Sequence, residues 1–261
     1  MQTRIDCFLP YSGQQTEDNI KALRTSPLVG TITILSTDTQ IESIADCQVI
    51  YVDSIYSSAT MRAIAHSAHS EFILLYTGNN TLVPGYFALD RMVKIATDSK
   101  AGMVYADYYT VVDGVRSNSP VIDYQFGSLR DDFNFGPLMM FDTADFKKAA
   151  DGIDSDYKAA GLYDLRLRLS RIAPLVHINE YLYTEVTVPK SSEGEAQFAY
   201  VDPKNRGVQI EMEQACTAHL KAIGGYLEPV FDTIEFDKGD FDYEASVIIP
   251  AVSYTHLTLP T

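Results

Sequence analysis

The sequence predicts an α/β fold with three layers, in which helices cover both faces of a mixed, mainly parallel sheet. Two observations lead to this fold class. Short apolar runs rich in β-branched residues alternate with segments of helical periodicity, as in proteins with parallel sheets. The chain has 261 residues, of which 46% are hydrophobic, and this is enough to bury a core on each side of a sheet.

The first half of the chain carries the clearest alternation. Its predicted strands are short apolar runs at 4–11, 30–37, 47–53 and 72–77. Its predicted helices have apolar residues at helical spacing and span 15–25, 58–70 and 83–97. A polar turn, GNNT at 78–81, follows the most apolar strand.

The second half reads differently and contains longer strands. We predict strands or hairpin arms at 102–114, 137–143 and 175–187, the first ending in an Asp-Gly turn. We predict helices at 143–151, 162–172 and 205–227, the last stopped by Gly224 and Gly225. The segments 115–135 and 190–197 are predicted to be loops.

The composition excludes several classes of protein. A net charge of −15 and a pI near 4.6 repel phosphate backbones, so we expect no nucleic-acid partner. No segment is long and apolar enough to span a bilayer, and the N-terminal stretch does not resemble a signal peptide. The three cysteines are far apart, which fits a reducing, cytoplasmic setting; association with a membrane is left open.

The ordered series of segments resembles a family 2 glycosyltransferase with the GT-A fold. The stretch 60–87, TMRAIAHSAHSEFILLYTGNNTLVPGYF, is similar to the family's helix, central strand and Pro-Gly pair, with Arg62 at the family's arginine. The stretch 104–114 resembles its next strand, and 163–185 resembles the segment that carries its catalytic base. The resemblance covers roughly residues 4–187 and is specific as a series rather than piece by piece.

The resemblance implies a nucleotide-sugar site at the carboxyl ends of the strands, where open α/β sheets bind their ligands. It places Asp164 at the catalytic base, which would accept a proton from an acceptor hydroxyl. The residues it implies for nucleotide-sugar binding are Pro10, Tyr11, Ser12, Asp38, Arg62, Asn79, Asn80 and Asp107. Asp131 and Asp132 are expected on the acceptor side.

The family's metal-binding turn is altered in this chain. Members carry two carboxylates in an acidic DxD turn, which hold Mn²⁺ or Mg²⁺ against the diphosphate. Here the turn reads Thr77-Gly78-Asn79, followed by Asn80, and amide oxygens bring no charge. The metal ligands are therefore unknown, and Mn²⁺ or Mg²⁺ is expected only if Asp107, Asp131 or Asp132 replaces part of the site.

The candidate charged residues also have ordinary structural explanations. An aspartate can be solvated or can cap a helix, and Asp164 would favour a helix N-terminus. Three arginines of the predicted helix 162–172 could touch a diphosphate, but they also fit the solvated face of an amphipathic helix; they are Arg166, Arg168 and Arg171.

Aromatic and histidine residues leave similar alternatives. A tyrosine cluster could stack on a sugar or pack along a strand; it comprises Tyr105, Tyr108 and Tyr109. His66 and His69 have the spacing of metal ligands on a helix, but no third ligand is near them in sequence.

The domain organisation suggested by the sequence is tandem. RIDCFLPY at 4–11 and EASVIIPA at 244–251 share a polar entry, an apolar run and a proline. We expect a GT-A-like domain over 1–227, an acidic linker over 228–244, and the truncated first strand of a covalently attached second glycosyltransferase domain over 245–251. The tail VSYTHLTLPT, 252–261, resembles a translated sequencing-library adapter and is expected to be non-native.

Two functions remain open at this point. The first is transfer of a sugar from a nucleotide-sugar donor to a glycan or glycoconjugate acceptor, in bacterial-type surface polysaccharide biosynthesis. The second is a non-catalytic GT-A-like binding or scaffold domain, which has lost its DxD site and supports a following catalytic domain. The replaced turn favours the second function, and Asp164 favours the first.

Overall fold

The computed structural model describes residues 5–41, 43–187 and 206–233. Contacts divide the chain into a compact unit of residues 1–226 and a second unit of residues 227–261. The helices and strands given below all belong to the first unit. The predicted loop 190–197, the later part of the predicted linker, the SVIIP strand and the adapter-like tail lie outside the described residues.

Nine strands of the described part form one mixed sheet. They are β1 (Ile5–Pro10), β2 (Val29–Ser36), β3 (Gln48–Tyr51), β4 (Phe72–Tyr76), β5 (Thr81–Pro84), β6 (Met103–Val112), β7 (Val115–Ser119), β8 (Leu138–Asp142) and β9 (Leu175–Thr187). The order is β3-β2-β1-β4-β8-β6-β9-β5, with β7 paired to β6. The first four strands in this order are parallel, and β6 is parallel to β9. Because β8 is antiparallel to both β4 and β6, these two point the same way.

Helices lie on both faces of the sheet. They are α1 (Gln14–Leu23), α2 (Ser58–Ser67), α3 (Ala88–Ser99), α4 (Thr143–Asp151), α5 (Gly161–Leu169) and α6 (Arg206–Ile223). Apolar residues of α1 and α3 share one core with the sheet, and those of α2, α4 and α5 share the other. The helix α6 packs on α5. Within the described residues, no helix combines the length and apolar character needed to cross a bilayer.

The two cores follow from the alternation of side chains along the central strands. In β4, Leu74 joins the core of α1 and α3, whereas Ile73 and Leu75 join the opposite core, and all three are fully buried. Successive residues of a strand point to opposite faces, so a strand between two helical layers is apolar at every position. The predicted three-layer GT-A-like fold class is confirmed.

Two strands at the margin of the sheet were not predicted. β5 lies partly in the segment 83–97, for which the sequence indicated a helix, and β7 lies in a predicted loop. β5 ends at Pro84, which is tolerated because the strand lies at the edge of the sheet. β7 is polar and mostly exposed, so it shows no hydrophobic alternation. The predicted Asp-Gly turn before it is present, with φ of 50° at Asp113 and 77° at Gly114.

The helix α5 contradicts the prediction of a solvated basic face. Arg166 is only 4% exposed, and its guanidinium donates to the carbonyl oxygens of Ser128 at 2.8 Å and Arg130 at 2.6 Å. Arg168 donates to Asp164 at 2.9 Å. Because α5 packs against α2, α4 and α6, Arg166 is enclosed and Arg168 is only partly exposed, whereas Arg171, beyond the end of α5, is exposed.

Candidate functional site

The carboxyl ends of β1, β2 and β4 meet at one edge of the sheet because the three strands are parallel. β1 runs from Pro10 into Tyr11 and Ser12, and β4 runs into the turn 77–80. Ser12 Oγ lies 3.2 Å from Asn79 Oδ1 and joins the two strand ends. This edge therefore brings together five of the residues predicted to bind a nucleotide-sugar, namely Pro10, Tyr11, Ser12, Asn79 and Asn80.

A buried asparagine, which the sequence reasoning missed, fixes this turn. Asn19 of α1 is 3% exposed, and its Nδ2 donates to the Asn80 carbonyl oxygen at 3.1 Å. Its Oδ1 accepts from the Leu82 N–H at 2.7 Å. The sequence did contain a sign of this residue, because Asn19 is a polar residue next to Ile20, on the face of α1 that packs against the core. Asn19 thus positions the turn from the helix that follows β1.

Two other predicted residues are engaged locally. The Asp38 carboxylate accepts from the Gln40 N–H at 2.9 Å, so it closes a turn beyond β2. Arg62 lies on α2 and forms an ion pair with Asp156. Asp38 lies just beyond the carboxyl end of β2, whereas the guanidinium of Arg62 faces Asp156.

The turn 77–80 does not fit a divalent metal ion. Thr77 Oγ1 donates to the Pro137 carbonyl oxygen at 3.3 Å, and a carboxylate close to the turn, that of Glu185, lies 2.7 Å from the Tyr76 hydroxyl. Hard cations need several charged oxygen ligands. In the part of the chain that the structure describes, no group of three or more His, Cys, Asp and Glu residues could hold an ion.

Asp107 is buried within the sheet region and is 2% exposed. Its Oδ1 accepts from the Val121 N–H at 2.8 Å and lies 2.9 Å from His177 Nε2. The other ring nitrogen of His177 lies 2.7 Å from Asp123 Oδ1. These contacts tie the segment after β7 to β6 and β9, so Asp107 holds structure together at this point.

The tyrosine cluster packs along strands, as one of the two alternatives predicted. Tyr105 stacks on His177 with 5.2 Å between ring centroids. Tyr108 stacks on a tyrosine of β9 with 5.1 Å between ring centroids, and Tyr109 stacks on a second tyrosine of β9 with 4.5 Å between them.

Asp164 lies in the first turn of α5, as predicted, but it is 2% exposed. Burial raises its pKa above the ordinary value, although the hydrogen bond from Arg168 acts in the opposite direction. Its carboxylate faces Arg168 inside the helix layer. A role for Asp164 as the catalytic base stays a prediction, since in this structure the group is enclosed and paired.

A cavity of about 390 Å³, here called the aromatic pocket, opens beside the turn. Its walls come from β8, α5, α6 and the segment 131–136, and its apolar lining includes Tyr56, Phe133, Phe135, Met139, Leu162, Tyr163 and Met212. Thr77, Asp131, Asn134 and Arg166 supply polar atoms.

The two aspartates predicted on the acceptor side differ. Asp131 lines the aromatic pocket, whereas Asp132 accepts two hydrogen bonds from Arg130, both at 2.9 Å. The bond from Arg130 lowers the pKa of Asp132. Of the two, Asp131 is the one that lines the aromatic pocket.

Comparison with solved structures now adds to this geometry. The chain is similar to S. aureus TarS 1–349, with a TM-score of 0.59 at 9% identity, over 84% of this chain and 65% of that chain. It is also similar to TarS 1–349 in complex with UDP-GlcNAc, with a TM-score of 0.55 at 12% identity, over 84% of this chain and 72% of that one. The fold is GT-A-like.

Identity this low shows the fold alone. The chain spans about two-thirds of the length of TarS 1–349, 65% in the first comparison. Neither the known family profiles nor the curated proteins give a match to this sequence.

Proposed function

We propose that this chain is a GT-A-like binding or scaffold domain of a nucleotide-sugar-dependent glycosyltransferase of the family 2 type. The intact protein would transfer a sugar to a glycan or glycoconjugate acceptor in surface polysaccharide biosynthesis. The GT-A-like fold supports this proposal, and so does the UDP-GlcNAc complex of TarS, which has the same fold.

The turn 77–80 is the feature of the structure that supports a non-catalytic role. Its side chains are neutral, and Thr77 and Asn79 bind protein atoms on the neighbouring segments. A departing diphosphate needs positive charge, which a metal ion usually supplies in this fold. Asp164 would in addition have to leave Arg168 and its enclosed position before it could reach an acceptor.

Catalysis by this domain is the second candidate, and the strand-end edge favours it. Ser12 and Asn79 converge where an open α/β sheet binds nucleotides. A nucleotide-sugar held there without a metal would use backbone N–H groups and these neutral side chains.

Calorimetric titration with UDP-, GDP- and dTDP-sugars, with and without Mn²⁺ or Mg²⁺, tests the proposal. We expect the affinity of the domain for a nucleotide-sugar to change by less than about twofold when the metal is added. We also expect no nucleoside diphosphate to be released. Asn79→Ala should weaken any binding that occurs at the edge, whereas Asn118→Ala, a control on β7, should not. Metal-dependent binding with release of the diphosphate, as the sugar passes to water in the absence of another acceptor, would show that this domain is catalytic.

A further inference from the structure

The aromatic pocket has a composition that the proposed function does not explain. A sugar or a diphosphate needs many polar partners, yet the deep wall consists of aromatic, aliphatic and thioether side chains such as Phe135, Phe141, Met139 and Leu162. Pockets of this size with a few placed polar groups are typical of sites for small, largely apolar ligands. The lining therefore selects for a hydrocarbon or aromatic body.

A buried positive charge lies in the same wall. Arg166 lines the pocket and is 4% exposed. Its partners among the described residues are neutral: two carbonyl oxygens, and the Tyr163 ring with its centroid 4.9 Å from the guanidinium carbon. Among the described residues, no carboxylate lies within 4.0 Å of its guanidinium nitrogens. A buried cation with only neutral partners favours an anion beside it, because burial has removed its hydration.

Asp131 also lines the pocket, and its carboxylate adds a negative charge there. Asp131 is exposed, where water and salt screen it, whereas Arg166 is enclosed. An anionic head group therefore gains most beside Arg166, with its apolar body against the aromatic wall. Charge complementarity sets the orientation of such a ligand.

We propose that the aromatic pocket binds an amphiphilic anion, with an apolar body and one carboxylate or phosphate head group on Arg166. This goes beyond the proposed function, because it assigns to the domain a ligand that is neither a nucleotide-sugar nor a metal. The pocket contacts the strand-end edge through Thr77, so a bound amphiphile would lie next to the site of any nucleotide-sugar.

Two fluorescent probes of the same ring system test the charge requirement. They are 8-anilinonaphthalene-1-sulfonate, which is anionic, and N-phenyl-1-naphthylamine, which is neutral. We expect single-site saturation, and binding of the anionic probe about tenfold tighter than that of the neutral probe. Decanoate and decyl phosphate, both below their micelle concentrations, should displace the probe, and their relative potency distinguishes a carboxylate from a phosphate head group.

Matched variants locate the site. Arg166→Met should weaken the anionic probe about tenfold or more and change the neutral probe by less than about threefold. Arg116→Met is the control, because Arg116 also lies over an aromatic ring, 3.3 Å from the Tyr109 centroid, but on the exposed β7. It should change neither affinity. Ala159→Phe, which fills the pocket, should weaken both probes.

Loss of the two carbonyl hydrogen bonds gives Arg166→Met a risk of misfolding, so circular dichroism and urea midpoints accompany the titrations. If that variant does not fold, two measurements still test the proposed binding site. They are the preference of the wild-type protein for the anionic probe and the effect of Ala159→Phe. Equal affinity for the two probes, absence of displacement by both amphiphiles, or displacement by UDP-GlcNAc alone would overturn the proposal. None of these readouts depends on sugar transfer, so the proposed function can fail while this site stands.

Discussion

The contact between α6 and the start of α5 gives a prediction that can be worked through from the structure. Ala160 at the N-cap of α5 offers no side-chain cap. Instead Glu211 of α6 accepts from the backbone N–H groups of Lys158 at 3.1 Å, Ala159 at 2.7 Å and Ala160 at 3.2 Å. A carboxylate from one helix therefore caps another, and this places α6 against the aromatic pocket.

The size of the effect follows from the energies of helix caps. Loss of a cap side chain costs about 0.5–2 kcal/mol, and a charge at a helix N-terminus contributes about 0.3–1 kcal/mol. Glu211 is half-buried, so solvent screens part of the charge term. We expect Glu211→Ala to lower the free energy of unfolding by about 1–2 kcal/mol, and Glu211→Gln by about half as much, since the amide keeps one acceptor oxygen.

The effect depends on pH in a defined direction. Burial opposes ionisation of Glu211, but the three backbone hydrogen bonds outweigh it, and its pKa is lowered from the ordinary 4.5. The folded state then binds fewer protons than the unfolded state in this range, so the stabilisation is full above pH 4.5 and is lost as the pH falls through the lowered pKa. The difference in stability between the wild-type protein and Glu211→Gln should shrink accordingly.

Urea denaturation followed by circular dichroism measures these differences, and hydrogen exchange reports on the three amides directly. Glu213→Ala is the matched control, because Glu213 is exposed on the same helix. We expect faster exchange at 158–160 in Glu211→Ala and no change in Glu213→Ala. If both variants lose the same stability, or if exchange at 158–160 is unaffected, the cap does not exist as described.

Three further substitutions test other contacts. Gly161→Ala should lose about 2–3 kcal/mol in urea unfolding, because the new β-carbon would lie 2.2 Å from Ser58 N, whereas Gly207→Ala, facing open space, should lose nothing. Burial, and then the neighbouring arginine charges, lower the pKa of His219, so thermal stability should fall as the pH drops below 6.5, and His219→Gln should flatten that fall. Asp6→Asn should cost about 2 kcal/mol at pH 7 and progressively less as the pH falls below 3.8, measured by urea titration, because burial opposes ionisation but hydrogen bonds to the carboxylate outweigh it and lower its pKa.

The strands inside the sheet could be predicted because packing constrains every position in them. FILLY in β4 is fully apolar since cores lie on both of its sides, and the run is visible without any structure. β7 has no such constraint, because its residues are largely exposed, and VRSNS resembles a loop. Burial therefore decides which strands a sequence reveals.

Most contacts of the candidate site could not be predicted, since their partners are far apart in the chain. Asn19 binds Asn80 across 61 residues, Arg166 binds Ser128 across 38, and Glu211 binds Ala159 across 52. Local periodicity contains no information on such pairs. For α5 it was also misleading, because arginines at helical spacing look solvated even when backbone carbonyls from a distant segment bind them.

The turn 77–80 packs against a buried carboxylate of β9. A β-carbon at Gly78 would lie 2.2 Å from Glu185 Oε1 and 2.5 Å from the Tyr76 hydroxyl, so a side chain there requires Glu185 to move. The same hydroxyl lies 3.0 Å from the Asn80 carbonyl oxygen, which couples the carboxylate to the backbone of the turn. A carboxylate from β9 is thus held in place beneath the turn, where burial and the tyrosine keep it from water. The apolar strands that build the sheet do not depend on the side chains of the turn, so the GT-A-like fold forms with neutral residues at 77–80.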